Sequence, residues 1–148
     1  MPALARFLPN ALAFAAAACF CAGSSALPLR YSKVAFDRAL AEKLPVVVHV
    51  CSGWSPLCKA QKPVVAALLR ELPLREIILF NAEFDKDFEV RRTLHVYQQA
   101  TFVVFRDGHE VTRSNGDVER GAIEALLKKA LSTPTGPVEK KARGKAVS

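Results

Sequence analysis

The 148-residue chain predicts an α/β fold with a mixed central sheet flanked by helices. Runs rich in β-branched and aromatic residues, VVVHV, EIILFNAEF and FVVFR, alternate with segments whose apolar residues recur at helical spacing. FVVFR and EVTRS flank the dipeptide Asp107-Gly108, which closes an antiparallel hairpin. A length suited to one domain, with 51% hydrophobic residues, supplies a continuous core.

Between about Leu29 and Leu131 the elements follow in order, with no internal repeat. SKVAFDRALAEKL places Val34, Phe36, Ala39, Leu40 and Leu44 in a roughly helical period behind the N-cap candidate Ser32. VVVHV follows Pro45 as a nearly unbroken apolar run, which suits a central strand buried on both faces. After the turn through Trp54, Ser55 is a fitting N-cap. Pro56 falls at the first helical position, where its missing N–H costs nothing, and a helix through Arg70 is expected. Pro63 lies inside it and removes one backbone hydrogen bond, so a kink is expected there. EIILFNAEF then reads as a strand, DKDFEVRRTLHV as a helix, and VERGAIEALLKKAL as the closing amphipathic helix.

Both ends of the chain carry their own signatures. Arg6, the apolar run ALAFAAAACF and the small residues Ser24-Ser25-Ala26 read as an export signal over residues 1–26, with a mature start near Leu27. The run falls short of the about 20 residues a spanning helix needs, so removal is expected over retention as an anchor. Lipidation at Cys19 is the lesser alternative, because Ala16 stands where a lipobox carries a larger aliphatic residue. Residues 132–148 are rich in Pro, Gly, Ser and Lys, and a disordered tail is expected. The formal charge of +7 owes much to Lys140, Lys141, Arg143 and Lys145 in that tail, while bases elsewhere alternate with acids. A solvated surface follows rather than a nucleic-acid face. The location expected is the periplasm or the secreted fraction, with membrane contact only through an uncleaved signal.

Export changes what the cysteines mean. With Cys19 and Cys21 removed, Cys51 and Cys58 remain in a compartment where disulfides persist. Their spacing of seven matches no strong zinc pattern, and a bridge, a redox pair or a metal pair all stay open. On an extended strand His49 and Cys51 point to one side, and the turn through Trp54 brings Cys58 back toward that strand end. A bond between the sulfurs requires Cα atoms within about 7 Å.

HVCSGWSPLCKAQKP, with Trp54, Cys58-Lys59 and Pro63 at their spacings, resembles the active-site segment of the thioredoxin family. The end of the strand at Asp85, and TFVVF from Thr101 with its Asp107-Gly108 turn, extend the likeness over residues 29–131. The resemblance implies a thioredoxin-like fold of order βαβαββα and, with the export signal, a bacterial periplasmic thioredoxin-like protein. Three departures bear on activity. Ser55 stands where the family has its attacking cysteine, and a helix N-terminus that activates a thiol does not suffice for a hydroxyl. Ala100 replaces the family's cis-proline before Thr101, and a trans bond is expected because cis before alanine costs about 2.5–4 kcal/mol. His49 replaces the family's buried acid and is read either as a proton acceptor near Cys58 or as a satisfied interior histidine.

These residues make Cys58, Cys51 and His49 the candidate catalytic set, and Trp54, Ser55, Ala100 and Thr101 the candidate substrate-binding set. Cys58, in the first turn of a helix, is expected to be a reactive thiol. Ser55 is read foremost as a cap, Trp54 as a surface contact, and His95 and His109 as surface residues. The favoured function is thiol-disulfide exchange with an altered centre, through Cys58 alone or paired with Cys51, on protein thiols or disulfides and with a membrane electron-transfer partner. A non-enzymatic partner-binding module is the alternative. Cu(I) held by His49, Cys51 and Cys58 is a lesser one, and no cofactor or resident metal is expected.

Overall fold

A computed structural model describes residues 27–131; the segment expected to be an export signal, with Cys19 and Cys21, and the tail expected to be disordered lie outside the described residues. The elements are β1 (Leu29–Arg30), α1 (Lys33–Ala41), β2 (Val46–Cys51), α2 (Pro56–Leu68), a 3-10 turn (Leu74–Glu76), β3 (Ile78–Glu83), α3 (Phe88–Thr93), β4 (Thr101–Arg106), β5 (His109–Asn115) and α4 (Arg120–Leu131). The sheet has the order β1-β3-β2-β4-β5. β1 and β2 run parallel to β3, whereas β4 is antiparallel to both β2 and β5. This is the mixed, thioredoxin-like sheet that the sequence predicts.

β2 is central because every one of its side chains has a covered place to go. Val47 joins Leu79, Phe102 and Val104 under Val65 and Leu68 of α2 and Ile123 and Leu127 of α4. Val46, Val48 and Val50 turn to the other face, where Phe36 of α1 meets Phe80 and Phe105 edge-on at centroid distances of 6.1 and 5.1 Å. Such arrangements suit the ring quadrupoles, and truncating a buried Phe typically costs about 3–5 kcal/mol. The parallel register sets His49 beside Asn81 and Cys51 beside Glu83, while His49 faces Phe102 across the antiparallel ladder.

Local chemistry departs from expectation in four places. The two-residue edge strand β1 has too short a pattern to register as alternation. α2 ends at Leu68 rather than Arg70, with Pro63 inside it as expected. β3 begins at Ile78, two residues late, because Leu74–Glu76 is taken up by a 3-10 turn. α3 spans six residues rather than twelve: Asp87 accepts from the Glu83 N–H and holds the preceding segment in turns. The hairpin is as expected, with Asp107 and Gly108 both at positive φ (53° and 83°), as its inward-twisting turn requires. A side chain at Gly108 would in addition lie 3.1 Å from the Leu40 carbonyl oxygen.

Candidate redox site

The end of β2 and the start of α2 bring the two cysteines together. Cys51 is the last strand residue, and four residues later Ser55 caps the helix with its Oγ accepting from the Cys58 N–H at 3.4 Å. Pro56 occupies the first helical position. Cys58, in the first turn, therefore sits over Cys51, and the two form a disulfide with Cα atoms 5.7 Å apart, inside the usual range. Ala100 completes a small apolar cluster around it. Cys51 retains 7% exposure and Cys58 none.

Beneath the disulfide lies a polar chain whose proton positions the geometry decides. The Gln61 Nε2 donates to the carbonyls of Ala100 (3.2 Å) and Asp117 (2.7 Å), which uses both of its hydrogens. Its Oε1 is thereby left as an acceptor 2.9 Å from His49 Nε2, so the ring proton resides on Nε2. That same nitrogen is 3.0 Å from Cys51 Sγ. His49 is thus an N–H donor shared between the Gln61 oxygen and the Cys51 sulfur. Its ring stacks on Phe102 at 4.2 Å and is 1% exposed. Burial pulls its pKa down to about 4, with hydrogen bonding to Gln61 and Asn81 opposing and the Lys62 charge reinforcing.

One expectation needs correction. His49 was to accept a proton near Cys58, but the strand's two-residue period sets it beside Cys51, and Gln61 makes it a donor. Of the two roles expected for Cys58, a single reactive thiol or a pair with Cys51, the bonded and buried sulfur is the geometry of the pair. Its place at the helix N-terminus, which favours thiolate, is as expected.

The remaining candidates divide into those the solvent reaches and those it does not. Trp54 is 62% exposed, and its indole Nε1 donates to Asp85 Oδ2 at 3.0 Å. Ser55 is fully buried and spent on its cap. Ala100 is buried at φ +57°, with no cis bond before it, and its carbonyl accepts from Gln61 and from the Gly116 N–H. Thr101 Oγ1 donates to the Gln98 carbonyl and accepts from Asn115. His95 and His109 lie exposed, away from the site. Among the described residues no group of three or more His, Cys, Asp and Glu side chains is arranged to hold a metal ion. The sulfurs required by the copper reading are bonded to each other.

Gln61 is the functional residue that sequence reasoning missed. Its signal was present: it falls three positions after Cys58, on the helix face that also carries Val65 and Leu68 inward. A polar residue on an inward helical stripe asks for a buried partner.

Comparison with known proteins agrees with this architecture. The thioredoxin family model matches residues 28–129. A thioredoxin of Chlamydia muridarum is 30% identical over 84 residues, covering 57% of this chain and 80% of its own length. The crystal structure of Trxlp from Edwardsiella tarda superposes with a TM-score of 0.67 at 33% identity, over 68% of this chain and 98% of that one. Oxidised thioredoxin from Plasmodium falciparum, 20% identical over 72% of this chain and 99% of its own, shares the fold with a TM-score of 0.61.

Proposed function

Because the chain belongs to the thioredoxin family of redox proteins, which act on protein thiols and disulfides, we propose that it is an exported exchange protein. Its redox couple is the Cys51–Cys58 bond instead of a Cys-x-x-Cys pair. The observation that carries this reading is the His49 N–H held against the sulfur of Cys51, the cysteine that keeps some exposure.

In exchange, a substrate thiolate attacks Cys51 Sγ. The new S–S bond forms as the bond to Cys58 breaks, and Cys58 departs as a thiolate at the start of α2, where the helix dipole favours negative charge. A second substrate thiolate then attacks the substrate sulfur of the mixed disulfide, joining the two substrate sulfurs, and Cys51 leaves as a thiolate stabilised by the His49 N–H. Two substrate thiols have become a disulfide, and the protein has gained two electrons and two protons. The reverse sequence reduces a substrate disulfide. Ser55 has no part in either direction, so general disulfide reductase activity is weak.

Export is supported by Arg6, the apolar run after it and the small residues before Leu27. In an oxidising compartment the reducing direction needs an electron source, and a membrane electron-transfer protein is the partner class that fits. N-terminal sequencing of the protein recovered outside the cytoplasm tests the export, with Leu27 or a close neighbour expected first.

Insulin reduction with dithiothreitol tests the altered centre. The wild type is expected to be slow, and Ser55→Cys, which returns a thiol three residues before Cys58, is expected to be faster; wild-type activity equal to an intact dithiol thioredoxin refutes the reading. Non-reducing peptide mapping across glutathione buffers tests the couple, with reversible interconversion of bonded and free Cys51 and Cys58 expected. A bond that no reductant opens in the folded protein leaves the partner-binding module, which the exposed Trp54 would serve.

A further inference from the structure

Cys51 opens onto a cavity of about 370 Å³, a size suited to a small ligand rather than a protein segment. Arg30 from β1, Lys62 from α2 and Lys86 from the loop after β3 line it, together with Glu83 and Asp87. Its charges are unequally committed. Glu83 Oε1 accepts from the Gly53 N–H at 3.2 Å, and Asp87 Oδ2 accepts from the Glu83 N–H at 2.6 Å. Among the described residues none of the three cations forms an ion pair. All three are solvent-accessible, so no desolvation opposes a carboxylate approaching them. Cys51 therefore lines a cavity that offers three cations outside any ion pair.

We infer that this cavity receives low-molecular-weight thiols carrying carboxylates, and that they exchange with the disulfide at Cys51. The inference rests on the proposed exchange activity and specifies which thiols reach the site by this route. The incoming thiolate bonds to Cys51 Sγ while its carboxylates face Arg30, Lys62 and Lys86. Cys58 leaves with the electron pair of the broken bond, as a thiolate at the start of α2. Cys58, with no exposed surface, receives no adduct. A thiol without carboxylates reaches the same sulfur with only its thiolate charge for the cations to attract, and gains less from them.

The test compares opening of the disulfide by glutathione, by glutathione diethyl ester and by dithiothreitol, with rates expressed per thiolate. Glutathione is expected to exceed its ester by about three- to tenfold at low salt, the scale of a few exposed ion pairs, and to lose that advantage at high salt. The double variant Arg30→Ala, Lys62→Ala, whose side chains are exposed, should react with both glutathione probes at nearly one rate, while its opening by dithiothreitol, which attacks with a single thiolate charge, should fall no more than its opening by the ester. In Cys58→Ser, oxidised glutathione should place its adduct on Cys51, found by peptide mapping. Equal rates for acid and ester, an advantage that survives the double variant, or a wild-type adduct on Cys58 overturns the inference and leaves the exchange reading standing. A disulfide closed even to dithiothreitol overturns both.

Discussion

His49 makes stability depend on pH in a way that can be separated from the rest of the protein. Its folded value of about 4 lies below the ordinary 6.5, chiefly because burial against Phe102 removes the water that would solvate an imidazolium. Between those values the unfolded chain binds a proton that the folded chain refuses. The contribution is fully present above about pH 6.5 and is lost as pH falls toward 4. Full displacement corresponds to about 3 kcal/mol, and at pH 4.5 about 2.5 kcal/mol has gone, a large share of a typical domain's stability. Urea unfolding of the oxidised protein at pH 7.5 and 4.5, compared with His49→Gln, isolates this loss from that of the carboxylates, which both proteins share. The wild type should lose about 2–3 kcal/mol more than the variant. Equal losses in the two proteins, or a His49 ring that titrates near 6.5 by NMR, would refute the reasoning.

Gln61→Leu orphans the Asp117 carbonyl and frees the His49 proton, so it should cost about 2–4 kcal/mol in urea unfolding and raise the Cys51 thiol pKa followed by thiolate absorbance; an unmoved pKa would remove His49 from thiolate stabilisation. Opening the short Cys51–Cys58 loop should lower stability by about 2.5 kcal/mol on the chain-entropy estimate, measured with and without dithiothreitol, and unchanged stability would show that the bond constrains nothing. Ser55→Ala should cost about 1 kcal/mol through loss of the cap while leaving exchange rates intact; slower exchange at undiminished stability would put the hydroxyl in the chemistry.

The fold was legible where one physical rule dominated. VVVHV could be read as a central strand because a continuous β-branched run has no solvent face to serve, and all six residues of β2 are buried. Ser55-Pro56 started a helix for capping reasons that need no tertiary contact, and Asp107-Gly108 closed a hairpin for dihedral reasons. β1 escaped notice because two residues carry no period, and α3 was drawn too long because the Asp87 contact with the Glu83 N–H is a local bond that composition does not announce. In the site, the shared face of His49 and Cys51 followed from strand alternation, and their 3.0 Å approach agrees with it. The direction of that hydrogen bond did not follow. It depends on Gln61 reaching the carbonyls of Ala100 and Asp117, residues 39 and 56 positions away, and such long-range pairing leaves no trace in spacing.

That dependence explains how a thiol can be activated away from the helix cap. A cysteine in place of Ser55 would draw on the N-terminal dipole of α2, which acts on any group placed there. Cys51 ends a strand and has no such field, so its thiolate needs a donor aimed at it. Gln61 supplies this at one remove, by holding the proton of His49 on the nitrogen that faces the sulfur. A neutral donor suits the role, since burial already disfavours the imidazolium. The pair is therefore asymmetric: Cys58 sits at the helix terminus, which favours a thiolate, while Cys51 holds the exposure and the hydrogen bond. In the exchange we propose, attack at Cys51 with departure of Cys58 is the direction in which access and leaving-group stability agree, and it would take place at the cavity that Cys51 lines.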